Sequence, residues 1–171
     1  STLARFSVRS PIGAWHVLAD LDRAKPTVIA VTLGGSHELL SRLTESESDR
    51  GSKISKDAGG LVQPLSAYFE GDLGALSRVA VQQPGTSFKQ SVWKAMCRIK
   101  PGSPETYAQL AVRAGSPSAV RAAASACATN RIPLIVPCHR VVRTGGAIGN
   151  YYFGADIKRW LLEYEARHSG R

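Results

Sequence analysis

The residues from Ile132 to Asn150 constrain this chain more than any other stretch. An apolar run rich in β-branched side chains ends at Pro137, and a thiol, an imidazole and a guanidinium follow at once as Cys138, His139 and Arg140. A β-branched pair, Val141-Val142, and a glycine-rich segment come next. Buried strands seldom carry three such side chains in succession, so the run reads as an active-site strand. A thiol becomes a nucleophile as its thiolate, and a neighbouring base or positive charge lowers the cost of that ionisation. On an extended chain adjacent side chains point to opposite faces. For His139 to serve Cys138, either the chain turns at Pro137-Cys138-His139 or a water relays the proton. Taken alone, the pair also fits a buried structural cysteine beside a surface histidine.

Charge distribution narrows the choice. Of the net +9, residues up to Gly85 contribute nothing, with 9 basic and 9 acidic side chains, while Thr86 onward carries 13 basic and 4 acidic. A field confined to one half suits a polyanion such as nucleic acid. At 171 residues and 43% hydrophobic, the chain can form one large domain or two small lobes with a core. It has no apolar run long enough to span a bilayer and no signal-like N-terminal segment, which predicts a soluble protein without membrane contact, cytoplasmic, or nuclear in a eukaryote. Three cysteines leave one unpaired, and neither Cys-x-x-Cys nor His-x-x-x-His spacing is present, so neither a disulfide framework nor a metal site is expected.

Along the chain, Arg5 to Arg9, Trp15 to Ala19 and Val28 to Leu33 alternate as strands around a Pro11-Ile12-Gly13 corner and predict an antiparallel meander. Ser36 can cap a helix running toward Leu43, and the polar run Thr44 to Gly60 reads as a loop. A helix from Leu61 to Glu70 places Leu61, Leu65 and Phe69 on one face. This half has no catalytic cluster, and His16 and His37 read as ordinary histidines. The predicted fold is mixed α/β, with a scaffold lobe over residues 1–84 bearing an antiparallel sheet with helices, and a mostly helical lobe over 85–171. In the second lobe, Phe88, Val92, Ala95, Met96 and Ile99 mark a helix face. Thr106 to Gln109 fits a capping box, Gly115 suits a left-handed helix end, and Ser116 and Pro117 can open the next helix. Two helices so tightly joined make a helix-turn-helix candidate.

The second of these, Pro117 to about Ala128, carries Ala, Val, Ser and Cys with Arg121 as its only long polar side chain. Base readout in the major groove needs several amide or guanidinium forks. Small side chains instead let a helix lie close to a backbone or a narrow groove, or pack in a core. A last helix, Asp156 to about Arg167, is expected to bury Ile157, Trp160, Leu161 and Tyr164 and to expose Lys158, Arg159 and Glu163. The basic half offers His139 four carboxylates, Glu105, Asp156, Glu163 and Glu165, of which Glu165 is the first choice.

Pro137-Cys138-His139-Arg140 with Val141-Val142, the Tyr107-Ala-Gln-Leu-Ala segment, Ser118-Ala-Val-Arg121 running into Asn130, and Gly149-Asn150-Tyr151 with Trp160 to Glu165 closely resemble the O6-alkylguanine-DNA alkyltransferases. The likeness spans roughly 87–166. It implies that Cys138 accepts an alkyl group from O6 of a guanine turned out of double-stranded DNA, and from O4-alkylthymine as well. His139 would take the thiol proton through a water, with Glu165 orienting it, Tyr107 donating toward the base and Asn130 tying the turn after the recognition helix to the active-site strand. Arg121 would fill the gap left by the base while Ser118, Ala119, Ala122 and Thr106 lie against the minor groove. Pro133, Val136, Tyr151, Tyr152 and Phe153 would line the pocket. The resemblance also implies a monomer without cofactor. A thioether product and no second thiol to remove the alkyl group imply a single turnover. Tyr152 and Phe153 stand where many relatives have small residues, and some relatives hold zinc in a lobe that here lacks cysteines. Two rival readings are a cysteine hydrolase using Cys138, His139 and Asn130, and a non-catalytic lesion reader, which would lack the thiol.

Overall fold

Alternation makes the first strands. In β1 (Leu3–Ser10), Ala4, Phe6 and Val8 are buried while Ser7 and Arg9 are exposed. β2 (Gly13–Asp20) pairs with it antiparallel, Phe6 opposite Val17 and Val8 opposite Trp15. β3 (Thr27–Thr32) is buried along its whole length and pairs antiparallel with β2. The computed structural model describes residues 1–170 and divides the chain into two compact units between Gln83 and Pro84.

The sheet of the first unit is mixed rather than purely antiparallel. β4 (Ser52–Ile54) joins β1 and β5 (Ala80–Val81) joins β3, both parallel, in the order β4-β1-β2-β3-β5. The polar run expected to be a loop contains both β4 and a helix. Between α1 (Ser36–Ser41) and β4, Thr44 and Glu47 form a capping box that opens α2 (Glu45–Arg50). That helix buries no residue, so no apolar period announced it. Ser36 does not cap α1; the N-cap is Gly35. Arg50 ends α2 and grips Asp20 with two bonds of 2.9 and 3.0 Å, fixing the helix to the end of β2. α3 (Val62–Phe69) buries Leu65 and Tyr68 and packs on β1.

In the second unit, α4 (Ser87–Cys97) buries Val92, Trp93, Ala95 and Met96. The Trp93 indole donates to the Ala126 carbonyl at 2.9 Å, tying α4 to α6 (Val120–Ala128). Between them α5 (Tyr107–Arg113) opens on the Thr106–Gln109 capping box and ends before Gly115, whose φ of +86° is the left-handed exit a side chain would strain. The second helix begins three residues later than expected: Ser116 to Ala119 form a turn, with the Ala119 amide donating to the Ser116 carbonyl, and Ala119 is the N-cap. β6 (Glu105–Thr106) pairs parallel with β7 (Val141–Val142), and α7 (Ala155–His168) closes the unit. Among the described residues, no helix is long and apolar enough to cross a membrane.

Candidate active site

The apolar run before Cys138 is not a strand. It folds as successive turns, with the Val136 amide donating to the Ile132 carbonyl at 2.9 Å and the Cys138 amide to the Val136 carbonyl at 2.9 Å. Pro133 and Pro137 deprive the run of ladder donors, and its apolarity reflects burial rather than extension. Leu134 takes φ +77°, a left-handed conformation that costs a leucine about 1–2 kcal/mol and needs surrounding structure to hold it. Asn130 supplies that: its amide donates to the Val136 carbonyl at 2.9 Å and its Oδ1 accepts the Ile132 amide at 3.1 Å. The chain then turns through a 3-10 helix, Cys138–Arg140, without a hydrogen bond from the thiol to His139 among the described residues. The parallel β6–β7 pairing carries the start of α5, and so Tyr107, alongside the residues that follow this turn.

His139 and Glu165 are both fully buried, with Nε2 to Oε2 at 2.8 Å. Arg140, absent from the expected site, completes the group. Its Nε and Nη2 donate to the two carboxylate oxygens of Glu165 at 2.9 Å each, and its Nη1 to the Ile99 carbonyl at 2.9 Å. Burial would raise the Glu165 pKa, but His139 and Arg140 outweigh it and hold the carboxyl well below its ordinary range. Burial lowers the His139 pKa despite Glu165. The imidazole is therefore neutral at pH 7, with Nε2–H donating to an ionised carboxylate. Nδ1 has no hydrogen-bond partner among the described residues and is the nitrogen left to accept a proton.

Both shifts have the same sign for stability. His139 contributes stability that is complete above its ordinary value of 6.5 and lost as pH falls below it; Glu165 does the same below 4.5. Urea unfolding between about pH 8 and about pH 2 is expected to show stability declining in two stages, the first below 6.5 and the second below 4.5. A flat profile over that range excludes the assigned charge states.

Cys138 is half-buried and lines an open cavity of about 480 Å³. Tyr107, Asn130, Pro133, Tyr151 and Tyr152 line it, and Arg121 stands exposed on its α6 wall. Burial pushes the Tyr107 hydroxyl up to about 12, so it remains a donor at neutral pH. Two expected pocket residues are elsewhere. Val136 points into the core with 1% of its surface exposed and serves the site through its carbonyl. Phe153 packs edge-on against Tyr151 and Tyr152 and is not among the lining residues. Thr106, Ser118, Ala119 and Ala122 also lie outside the cavity, Thr106 as the cap of α5 and Ser118 and Ala122 exposed to solvent.

Six lining residues had not been expected, Val120 and Asn150 among them. Ala124, Cys127 and Ala128 follow Arg121 at helical spacing, so rotating α6 about Arg121 would have found them, and Arg143 follows β7. Cys127 is thus a second thiol in the cavity, contrary to expectation. Burial raises its pKa strongly, keeping it protonated. Lys158, expected in solvent, is fully buried. It shares the inner face of α7 with Leu161 and Glu165 at spacings of three and seven, a pattern that outweighs its charge.

A half-exposed thiol at the wall of an open cavity, in a unit with a tight two-helix turn and a buried histidine–carboxylate–guanidinium group, defines a protein with a cysteine-centred site on a helix-turn-helix scaffold. Residues 87–167 match the family described as 6-O-methylguanine DNA methyltransferase, DNA binding domain. The methylated-DNA–protein-cysteine methyltransferase of Methanosarcina mazei is 36% identical over 148 residues, 82% of this chain and 93% of that protein. The regulatory protein Ada of Salmonella typhimurium is 49% identical over 83 residues, 48% of this chain but only 24% of Ada's own length. The crystal structure of Mycobacterium tuberculosis OGT in complex with DNA matches with a TM-score of 0.74 at 29% identity, covering 96% of this chain and 94% of that one. The chain belongs to the methylated-DNA–protein-cysteine methyltransferase family.

Proposed function

We propose that this protein repairs double-stranded DNA by moving the alkyl group of O6-alkylguanine, and of O4-alkylthymine, onto Cys138, once per molecule. The observation that carries this reading is Cys138 facing a roomy, open cavity beside a buried, neutral His139. Inside a stacked duplex the O6 substituent is out of a thiol's reach, so the base must be turned out at a cost of a few kcal/mol. The small residues of α6 admit a close approach along the minor groove, and Arg121 is placed to fill the gap in the stack.

The thiol proton passes through a water to His139 Nδ1. The Cys138 sulfur then attacks the alkyl carbon, a S–C bond forms, the C–O bond breaks and its electron pair leaves on the guanine. Tyr107, still protonated, donates toward that developing charge, and the proton held by His139 balances the one the guanine takes up. A thioether has no carbonyl for water to attack, and Cys127 is held as a thiol, so nothing in the cavity regenerates Cys138. The hydrolase alternative needs Asn130 beside the histidine; here the Asn130 amide bonds the Val136 carbonyl, and the histidine's partner is Glu165. Incubation with methylated DNA followed by mass spectrometry is expected to show one methyl per molecule on the Cys138 peptide, lost in Cys138→Ser. Sustained turnover of an ester or peptide refutes the reading.

Tyr152 narrows the cavity with an exposed ring, which disfavours large leaving alkyl groups. O6-benzylguanine is expected to consume Cys138 more slowly than methylated DNA does, and Tyr152→Ala to narrow that ratio by about tenfold. Equal rates in the unaltered protein contradict this.

A further inference from the structure

Lys158 is 0% exposed and has no carboxylate partner among the described residues. Its Nζ donates to the Val141 carbonyl at 2.6 Å and to the Asn150 carbonyl at 3.1 Å. Val141 follows directly on the Cys138–Arg140 turn, and Asn150 lines the cavity, so one ammonium joins the two segments that flank the thiol. Gly149 lies against it, where φ +79° disfavours any side chain and a Cβ would sit in ordinary contact, 3.6 Å from Nζ and 3.5 Å from the Tyr107 hydroxyl. Holding a cation in such a place is costly when its hydrogen bonds go to two carbonyl dipoles rather than to a carboxylate.

We propose that Lys158 is a positioning residue that clamps Val141 to Asn150 and whose buried positive charge favours the thiolate of Cys138, a role that deepens the alkyl-transfer reading above and rests on it. Burial lowers the lysine's hold on its proton, while negative charge at Cys138, and secondarily at Cys127, restores it. Coupling between two titrating groups is reciprocal, so the lysine's charge must favour the thiolate by the same amount. Facing the thiol are Tyr107 from α5, Arg121 and Cys127 from α6, Arg143 after β7, and Tyr151, with the His139–Glu165 pair behind it. Arg143 adds positive charge from the exposed side, where solvent weakens it; Lys158 acts from the dry side. Alkylation removes the anion. The sulfur becomes a neutral thioether, the buried ammonium loses the charge that compensated it, and the clamp on Val141 and Asn150 weakens in the spent protein.

The test follows Cys138 carboxamidomethylation by iodoacetamide as a function of pH in the full chain, read on the Cys138 peptide so that Cys97 and Cys127 do not contribute. Here the sulfur displaces iodide from carbon, and no DNA is involved. Lys158→Met is expected to move the midpoint up by about one pH unit, with Lys158→Arg restoring most of the shift. A rate lowered equally at every pH, with the midpoint unmoved, shows a merely structural lysine and overturns the proposal. Should Lys158→Met not fold, nitrogen NMR of the unaltered protein decides. The Lys158 side chain is expected to lose its proton at lower pH once Cys138 is capped with carboxamidomethyl, and an unchanged titration overturns the proposal. Transfer from methylated DNA is measured separately. Its absence alongside a shifted iodoacetamide midpoint removes the repair reading and leaves the coupling of Lys158 to the thiol intact, whereas normal transfer with an unmoved midpoint does the reverse.

Discussion

Glu165→Gln is expected to destabilise the protein by about 3–5 kcal/mol and to slow transfer to Cys138 by about 10²–10⁴-fold. The carboxylate accepts three hydrogen bonds, one from His139 and two from Arg140, and all three side chains are buried. An amide has one acceptor oxygen, so its NH₂ must face an N–H donor of His139 or Arg140, and the buried guanidinium loses its counter-charge. A loss of that size is a large part of the roughly 5–15 kcal/mol by which folded domains are stable. The rate falls for a separate reason: the carboxylate fixes the tautomer that leaves Nδ1 free as a base and stabilises the imidazolium formed when it takes a proton. The double variant Arg140→Met with Glu165→Gln separates the two effects, since removing the unpaired guanidinium recovers stability but not rate. Denaturant unfolding and single-turnover kinetics measure them. A Glu165→Gln protein within about 1 kcal/mol of the original excludes the assigned ion pair.

Asn130→Ala ranks next, with an expected loss of about 2–4 kcal/mol and a matching fall in transfer rate. Its side chain bridges the Val136 carbonyl and the Ile132 amide, both buried, across the turn that holds Leu134 at positive φ. Truncation deprives both backbone groups of this partner, and no water reaches them cheaply. The Val136 carbonyl also accepts the amide of Cys138, so a shift of the turn moves the nucleophile itself. Asn130→Asp discriminates the cause: it keeps the acceptor for Ile132 but sets a carboxylate against the Val136 carbonyl, and is expected to be at least as damaging. Should Asn130→Asp prove harmless, the donor bond to Val136 does not support the turn.

What could be read from residues alone was what obeys local rules. The meander was expected from alternation, which β1 shows and the fully buried β3 does not, and α3, α4 and α7 followed from apolar spacing. The start of α5 followed from its capping box and its end from Gly115. The same rules passed over α2, whose capping box was present but which buries nothing, and over β4 and β5, whose pairing is parallel and set by partners far along the chain. Cys138, His139 and Glu165 were named from chemistry and resemblance together. Arg140 was visible beside them, but that its fork closes on both oxygens of Glu165 depends on how a 3-10 turn meets a helix 25 residues away.

The amino-acid order by itself determined which half carries the positive charge, where the reactive thiol lies and which helices have an inner face, because these are properties of single residues and of short-range periodicity. Only the tertiary structure decided that the run before Cys138 is a set of turns pinned by Asn130, that Cys127 shares the cavity, and that Lys158 is buried behind it. Each of these depends on long-range packing, which can turn an apolar run away from extension and draw a charged side chain inward wherever backbone carbonyls wait to receive it.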